Sequence, residues 1–394
     1  MLIAAARIIT ASGPGSGANA ALSPGYVNCV EGRIAAVSAG LPPSRPDVVL
    51  RDGFLVPGFV DLQVNGYYGV EFATADAGGW DKVAGRLPET GTTAFLPTVI
   101  TSPLAELADS LRRAAAIAPE LAAGTGSARV LGVHLEGPFI SAKRPGAHNP
   151  AWIVAPTPEA VEALIEAGSG CLKLVTLAPE VDGGLAALKQ LVKAGILVSV
   201  GHSDATALQV STAAMCGARM VTHLFNAQRP LHHREPGVVG QALTDSRLTS
   251  SIIADLHHVS GQVAAIAFAA APGRICLITD AAACAGMPPG RYVLGGEPIE
   301  LAEGDGTPSV RADGTLAGSA LRMDSAVANL VAVGIGLPAA VTAATRLPAD
   351  LIGRPDLGRI ALGAAADLTW LSDDLRANAT WIGGRQVYGH SLVG

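Results

Sequence analysis

Four apolar runs in this chain end on residues able to handle metals or protons. The run Val130–Leu135 delivers Glu136 and then turns at Gly137-Pro138. Ile196–Val200 leads through Gly201 to His202, and Arg219–Val221 leads through Thr222 to His223. Ile275–Ile278 leads through Thr279 to Asp280. One carboxylate and two imidazoles suit Zn²⁺, with Fe²⁺, Mn²⁺ and Co²⁺ as other divalent occupants. Three protein ligands leave a position open for water, and a cation so held lowers that water's pKa toward about 7. Asp280 is then the candidate general base, taking the water proton and passing it to a leaving group. Read singly, each residue has a plainer account. A histidine or glutamate at a strand end is commonly a turn-former or a surface group, and Asp280 before Ala281-Ala282-Ala283 is a good helix N-cap. The joint reading requires the four ends to meet in space.

A parallel α/β barrel brings them together, because its strands all end on one face and active sites are built there. From Phe59 onward, strand-like runs alternate with Ala/Leu-rich helical stretches. The runs are Phe59–Asn65, Thr93–Ile100, Val130–Glu136, Leu172–Ala178, Ile196–His202, Met220–Asn226, Ser251–His257 and Ile275–Ala281. Helical patterns lie between them, among them Pro103–Ala118, Pro158–Ala167, Gly184–Ala194, Ala205–Cys216 and Gly261–Ala271. Eight such units predict an α/β protein with a closed, TIM-like (β/α)8 barrel over about 57–357. Short β-like pieces with Gly and Pro turns near 288–318 read as an insertion, followed by helices at Arg322–Gly334 and Ala339–Leu347. The ends of the chain have a different texture. Residues 1–56 read as short strands (Leu2–Ile9, Tyr26–Val30, Ile34–Val37, Asp47–Val56), with a loop at Ser12–Gly17. Residues 358–394 turn β-like again, from Gly358–Gly363 onward. The two ends are expected to pair into a small β-sandwich beside the barrel.

With 394 residues, 49% of them hydrophobic and 15% charged, a large core is available. The formal net charge of −6 comes with no basic cluster, which argues against nucleic acid and anionic membrane as partners. No run of about 18 apolar residues occurs, so no membrane helix is expected. The five cysteines are odd in number and lack C-x-x-C spacing, as for free thiols in a reducing cytoplasm. No G-x-S-x-G is present, so water activated by a metal is the reaction class the residues favour.

The run Pro57-Gly58-Phe59-Val60-Asp61-Leu62-Gln63-Val64-Asn65-Gly66 resembles the first-strand motif of the amidohydrolase superfamily, many members of which carry His-x-His where this chain has Gln63-Val64-Asn65. That departure, with Leu135-Glu136-Gly137-Pro138, resembles the N-acetylglucosamine-6-phosphate deacetylase family. The likeness continues through Gly146–Pro150, Thr176–Glu180, Gly201–Thr206, Thr222–Ala227, Arg234–Gly237, Ile253-Ala254-Asp255 with His258, Thr279–Ala281 and Gly314–Ser319. It implies that Glu136, His202 and His223 bind one metal, that Asp280 is the catalytic acid/base and that His148 polarises the acetamide carbonyl. It further places Ala147, Asn226, Ala227, Arg234, His258, Leu316, Ala317 and Gly318 at the substrate, with Arg234 reaching a neighbouring active site across a homodimer. The implied reaction is release of acetate from N-acetyl-D-glucosamine 6-phosphate.

Some positions depart from the pattern. Leu256 stands where glycine is usual, and His257 competes with His258 for the substrate. Gln63 and Asn65 are weak ligands beside imidazoles, so a second metal is expected to be loose or absent. Lys173 sits early in its run, not at the C-terminal end, and is set aside as a ligand. Cys284 is read as a small buried residue. Two other readings stay open: an amidohydrolase for a different N-acyl sugar or cyclic amide, and a sugar-phosphate binding protein without catalysis.

Overall fold

The computed structural model describes residues 1–11, 21–122, 126–303 and 307–390; the loop expected at Ser12–Gly17 lies outside the described residues. Eight parallel strands run in chain order around a barrel. They are β1 (Phe59–Val64), β2 (Thr92–Ile100), β3 (Val133–Glu136), β4 (Leu172–Leu177), β5 (Leu197–Val200), β6 (Met220–Val221), β7 (Thr249–Ile253) and β8 (Ile275–Ile278). The circle closes between β8 and β1. There Val64 bridges Ala281, the Asp280 N–H donates to Gln63 O at 2.9 Å, and the Asn65 N–H donates to Ala281 O at 2.8 Å. Strands β1 and β2 are buried at every position. Helices cover such a sheet outside and side chains fill it inside, so both faces are buried, including the inward polar Asp61 and Gln63 of β1.

The helices between strands match the sequence pattern closely: Leu104–Leu121, Pro158–Gly168, Gly184–Lys193, Ala207–Met215 and Gly261–Ala270. Thr206 opens one of them with a capping box, its hydroxyl accepting from Gln209 N while the Gln209 side chain accepts from Thr206 N. Several strands are shorter than their apolar runs. The run Met220–Asn226 is a strand only at its first two residues, because the chain must leave the sheet to bring His223 and Asn226 to the mouth. The run Val130–Glu136 is broken at Gly132, and its first part, Arg129–Val130, pairs separately with β2. Gly358–Gly363 is not a strand; it is a turn-rich crossing tied by Ile360 N–H to Thr10 O at 2.9 Å.

Both chain ends form the small sandwich. One sheet has the order Arg33–Ala39, Gly25–Val30, Leu2–Ala5, Val48–Leu50. The other runs Arg385–Tyr388, Ala377–Ile382, Leu368–Leu371, Phe54–Pro57, Ile8–Ile9, Ala21–Leu22. Leu2–Ile9 and Asp47–Val56, each a single run in the sequence, therefore each serve both sheets and bend between them. Gly53 makes the second bend: its φ is +62° and a Cβ there would lie 1.9 Å from Leu371 O. Ile3, Ile8, Val27, Ile34, Leu50, Leu55, Leu368 and Trp381 fill the space between the sheets. Arg129 joins barrel to sandwich, donating through Nε and Nη2 to the two oxygens of buried Asp367 at 3.0 and 3.1 Å.

A three-stranded antiparallel sheet (Gly290–Leu294, Glu297–Leu301, Ser309–Val310) comes after β8. Its Leu294, Ile299 and Leu301 pack with Ile100, Cys284 and Ala317 in a cluster separate from the barrel core. Among the described residues no helix is long and apolar enough to cross a membrane.

Candidate active site

The four strand ends meet. His202 Nε2 lies 3.2 Å and His223 Nε2 2.9 Å from Glu136 Oε1, and the two Nε2 atoms are 3.0 Å apart. Donor atoms about 2.0–2.1 Å from a tetrahedral cation are separated by roughly 3.3 Å. The three donors thus sit close to the spacing that a shared cation requires. His148 Nε2 is 3.7 Å from the other oxygen, Glu136 Oε2. Glu136, His148 and His202 also form a group whose ligand atoms all lie within 4.8 Å of one another. The set that includes His223 is the tighter, so the donor geometry favours it for the cation and leaves His148 standing across from it.

The supporting contacts orient these rings. His202 Nδ1 faces the carbonyl of Arg144 at 3.0 Å, which puts its proton on Nδ1 and turns the Nε2 lone pair toward Glu136. His148 Nδ1 faces Thr101 Oγ1 at 2.6 Å. Sequence reasoning missed both Thr101 and Arg144. Thr101 was legible as one more residue at the end of a strand-like run; a backbone carbonyl leaves no such signal. His202, His223, Ala227 and Asp280 all have positive φ, at +47°, +31°, +48° and +52°. Such backbone is costly for residues with a Cβ and concentrates at functional sites. Gly201 allows the packing beneath His202, since a Cβ there would lie 2.6 Å from Thr176 Cγ2.

Under the site runs a belt of buried polar groups. His134 Nε2 is 2.8 Å from Thr176 Oγ1, which is 2.7 Å from Thr222 Oγ1, which is 2.6 Å from Ser199 Oγ. Burial pushes His134 down to about 4 and keeps it neutral. Burial, with His148 adding to it, likewise lowers His202 to about 4. Burial alone would raise Glu136, but the imidazoles of His148, His202 and His223 crowded against its oxygens outweigh it and hold the carboxylate well below its usual range. Burial also works against a charged His223, yet Glu136 and Asp280 override it and raise its pKa. Asp280 is pushed up to about 6, first by burial and then by the Glu136 charge.

An open cavity of about 190 Å³ reaches this cluster. Glu136, Ala147, His148, His202, His223, Asn226, Ala227, His258, Asp280, Leu316 and Gly318 line it. Ala317 does not; it is fully buried in the cluster behind. Arg234 does not line the cavity of its own chain. It is exposed and contacts His233 Nε2 at 2.9 Å. His258 faces the cavity whereas its neighbour His257 is exposed. His258 Nδ1 lies 2.6 Å from Asp255 Oδ2, and Asp255 Oδ1 accepts from the His257 and His258 N–H groups. Asn65, weighed above as a weak ligand, also lines the cavity, and so do Ile100, Gly146, Ile253, Leu294 and Thr315. Arg311 ties the insertion to the His148 loop, donating to Ala147 O at 3.0 Å and pairing with Glu297 at 3.2 Å. Lys173 is the second residue of β4, early in its run, and Cys284 is buried, as the sequence indicated.

A parallel barrel with a Glu/His/His cluster and an Asp at the ends of its strands defines a metal-dependent hydrolase class. Residues 54–387 match the amidohydrolase family, and the chain belongs to it. It is similar to the N-acetylglucosamine-6-phosphate deacetylase of Danio rerio, 39% identical over 351 residues that cover 85% of this chain and 84% of that one. It is also similar to the N-acetylgalactosamine-6-phosphate deacetylase of Escherichia coli O157:H7, 37% identical over 366 residues, 92% of this chain and 95% of that one. Among solved structures it resembles the D267A mutant of N-acetyl-D-glucosamine-6-phosphate deacetylase from Mycobacterium smegmatis in complex with N-acetyl-D-glucosamine-6-phosphate. The TM-score is 0.91 at 35% identity, over 98% of this chain and 99% of that one.

Proposed function

We propose that this chain hydrolyses the acetamide of N-acetyl-D-glucosamine 6-phosphate, yielding D-glucosamine 6-phosphate and acetate. The observation that carries the reading is the convergence of Glu136, His202, His223, His148 and Asp280 on one cavity. Glu136, His202 and His223 hold one divalent cation, Zn²⁺ by the chemistry of two imidazoles and a carboxylate, with Fe²⁺, Mn²⁺ or Co²⁺ also suited. Bound there, the cation supplies Lewis acidity and makes water a better nucleophile near neutral pH. Asp280 takes the proton from the attacking water and delivers it to the departing amide nitrogen. Thr101 Oγ1, 2.6 Å from His148 Nδ1, fixes the ring; in the tautomer with the proton on Nε2, His148 presents an N–H that stabilises the oxygen of the tetrahedral species. Asn226, the Ala227 backbone, His258, Ala147, Leu316 and Gly318 orient the sugar phosphate, and Ala317 supports them from behind.

Arg234 is assigned to the phosphate of the neighbouring active site in a homodimer. Its exposure and its distance from its own cavity support that assignment, as does the match of a guanidinium fork to phosphate oxygens. Five cysteines, all free, support a reducing, cytoplasmic setting. The 4-epimer, N-acetylgalactosamine 6-phosphate, is the competing substrate, because the Escherichia coli relative carries that name. The test measures acetate release from both 6-phosphates and from unphosphorylated N-acetylglucosamine, on protein of known metal content. Fast release from the glucosamine derivative alone is expected. Equal rates with and without phosphate would discard the phosphate site, and a preference for the 4-epimer would replace the substrate.

A further inference from the structure

The seam that closes the barrel carries a second layer of chemistry. Gln63 and Asn65 are two positions apart along β1 and its extension, so both side chains point into the barrel. Gln63 Nε2 donates to Asp280 Oδ1 at 2.9 Å and Asn65 Nδ2 donates to the same oxygen at 2.7 Å. Asp280 Oδ2 accepts no hydrogen bond among the described residues. The next inward residue toward the start of β1, Asp61, treats the preceding position in the same way. Its Oδ2 accepts from Thr279 Oγ1 at 2.6 Å and its Oδ1 accepts from Thr279 N at 3.2 Å. Three inward residues of β1 thus zip onto Thr279 and Asp280. The other ends of the two amides are left bare: Gln63 Oε1 and Asn65 Oδ1 are buried without a partner. A purely structural amide pair in a dry interior would satisfy both ends. These two satisfy only the end that faces Asp280.

Building on the deacetylase reading, we infer that Gln63 and Asn65 are positioning residues that clamp Oδ1 of Asp280, so that Oδ2 alone is presented to the reacting water and amide nitrogen. An ionised carboxylate only accepts, so both amides must turn their NH₂ groups toward it. Two donors on one oxygen stop rotation about the carboxylate bond, and proton transfer needs that fixed geometry.

The test uses Gln63→Met and Asn65→Leu, close in volume but without donors, the double variant, and Asn65→Asp as a second probe of the same size. Acetate release, bound metal and thermal unfolding are measured on each beside the wild type. Each single variant is expected to lose about 10- to 100-fold in kcat, with KM within about twofold and metal content unchanged. The double variant should fall little further than the worse single one, since either loss frees the same oxygen. Asn65→Asp should be at least as slow as Asn65→Leu, because it sets a second carboxylate against the first. An unchanged kcat in folded, metal-loaded variants would overturn the clamp, as would losses that track only metal or melting temperature. A wild type that releases no acetate would overturn the deacetylase reading and the clamp with it.

Discussion

The mouth of the barrel and the core of the sandwich are built on opposite principles. The mouth buries Asp61, Gln63, Asn65, His134, Glu136, His148, His202, His223 and Asp280 within a few strand ends. Each such group costs free energy unless paired, and three polar atoms there, Gln63 Oε1, Asn65 Oδ1 and His223 Nδ1, have no partner. Left-handed backbone at His202, His223 and Asp280 adds to the cost. The sandwich interior carries none of this. Its sixteen-residue cluster is aliphatic apart from Trp381 and Cys29 and sits on strands except at Ile360, Ala364 and Ala366. One region holds a geometry that folding alone would not choose; the other supplies the cohesion that lets the chain tolerate it.

That contrast can be attacked from either side. The largest effect is expected from Asp280→Asn. It should cut turnover by about 10²–10⁴-fold while the metal stays bound, measured as kcat beside metal content; near-normal turnover would remove Asp280 from its role. Next is Trp381→Ala in the sandwich. It should destabilise the fold by about 3–5 kcal/mol in denaturant unfolding yet leave kcat per folded molecule unchanged. A change in kcat there would mean that the two regions are coupled. Thr222→Val should be smaller, about 1–3 kcal/mol, because it strands the Ser199 hydroxyl and leaves Thr176 with His134 in place of two belt partners. Equal stability would show the belt to be dispensable.

The smallest effect is one of pH. In the metal-free protein the raised pKa of His223 makes its pairing with Glu136 stabilising. That contribution is complete below the ordinary histidine pKa and is lost as pH rises through the raised value. A divalent cation taken up by these donors would have to displace this proton, so its affinity should fall as pH drops below that value, by about tenfold per unit. A metal titration at several pH values checks the slope, and a flat line would mean that His223 carries no proton to displace. The cost of Trp381→Ala should show no such dependence over the same range.

The barrel was readable because most of its strands are apolar runs and its helices carry Ala/Leu periodicity, as Ile275–Ile278 and Pro158–Gly168 show. Glu136, His202, His223 and Asp280 were readable because each stands at the end of such a run. What escaped is what the chain builds from afar. Leu2–Ile9 is one apolar run by composition, and nothing local tells that its halves serve different sheets. Gly358–Gly363 has strand-like residues but spends its backbone on crossing turns. The Thr101 contact to His148 and the Gln63 and Asn65 contacts to Asp280 join positions far apart in sequence, and local periodicity does not report on them. Cavity-lining residues such as Leu294, in the inserted sheet, and Thr315, in the loop after it, reach the cavity through a placement that is a tertiary fact.

The sandwich has a consequence for how the chain is made. Phe54–Pro57 pairs with Leu368–Leu371, and Trp370 Nε1 donates to Asp52 O across 318 positions of sequence. On a ribosome delivering about 5–20 residues per second, the early strand waits many seconds for its mate while the barrel between them emerges. For that time it is an open edge, available to any other extended segment. The last part of the molecule to close is thus one it began to build first, and newborn chains are most vulnerable to sticking together at the end that holds no catalytic residue.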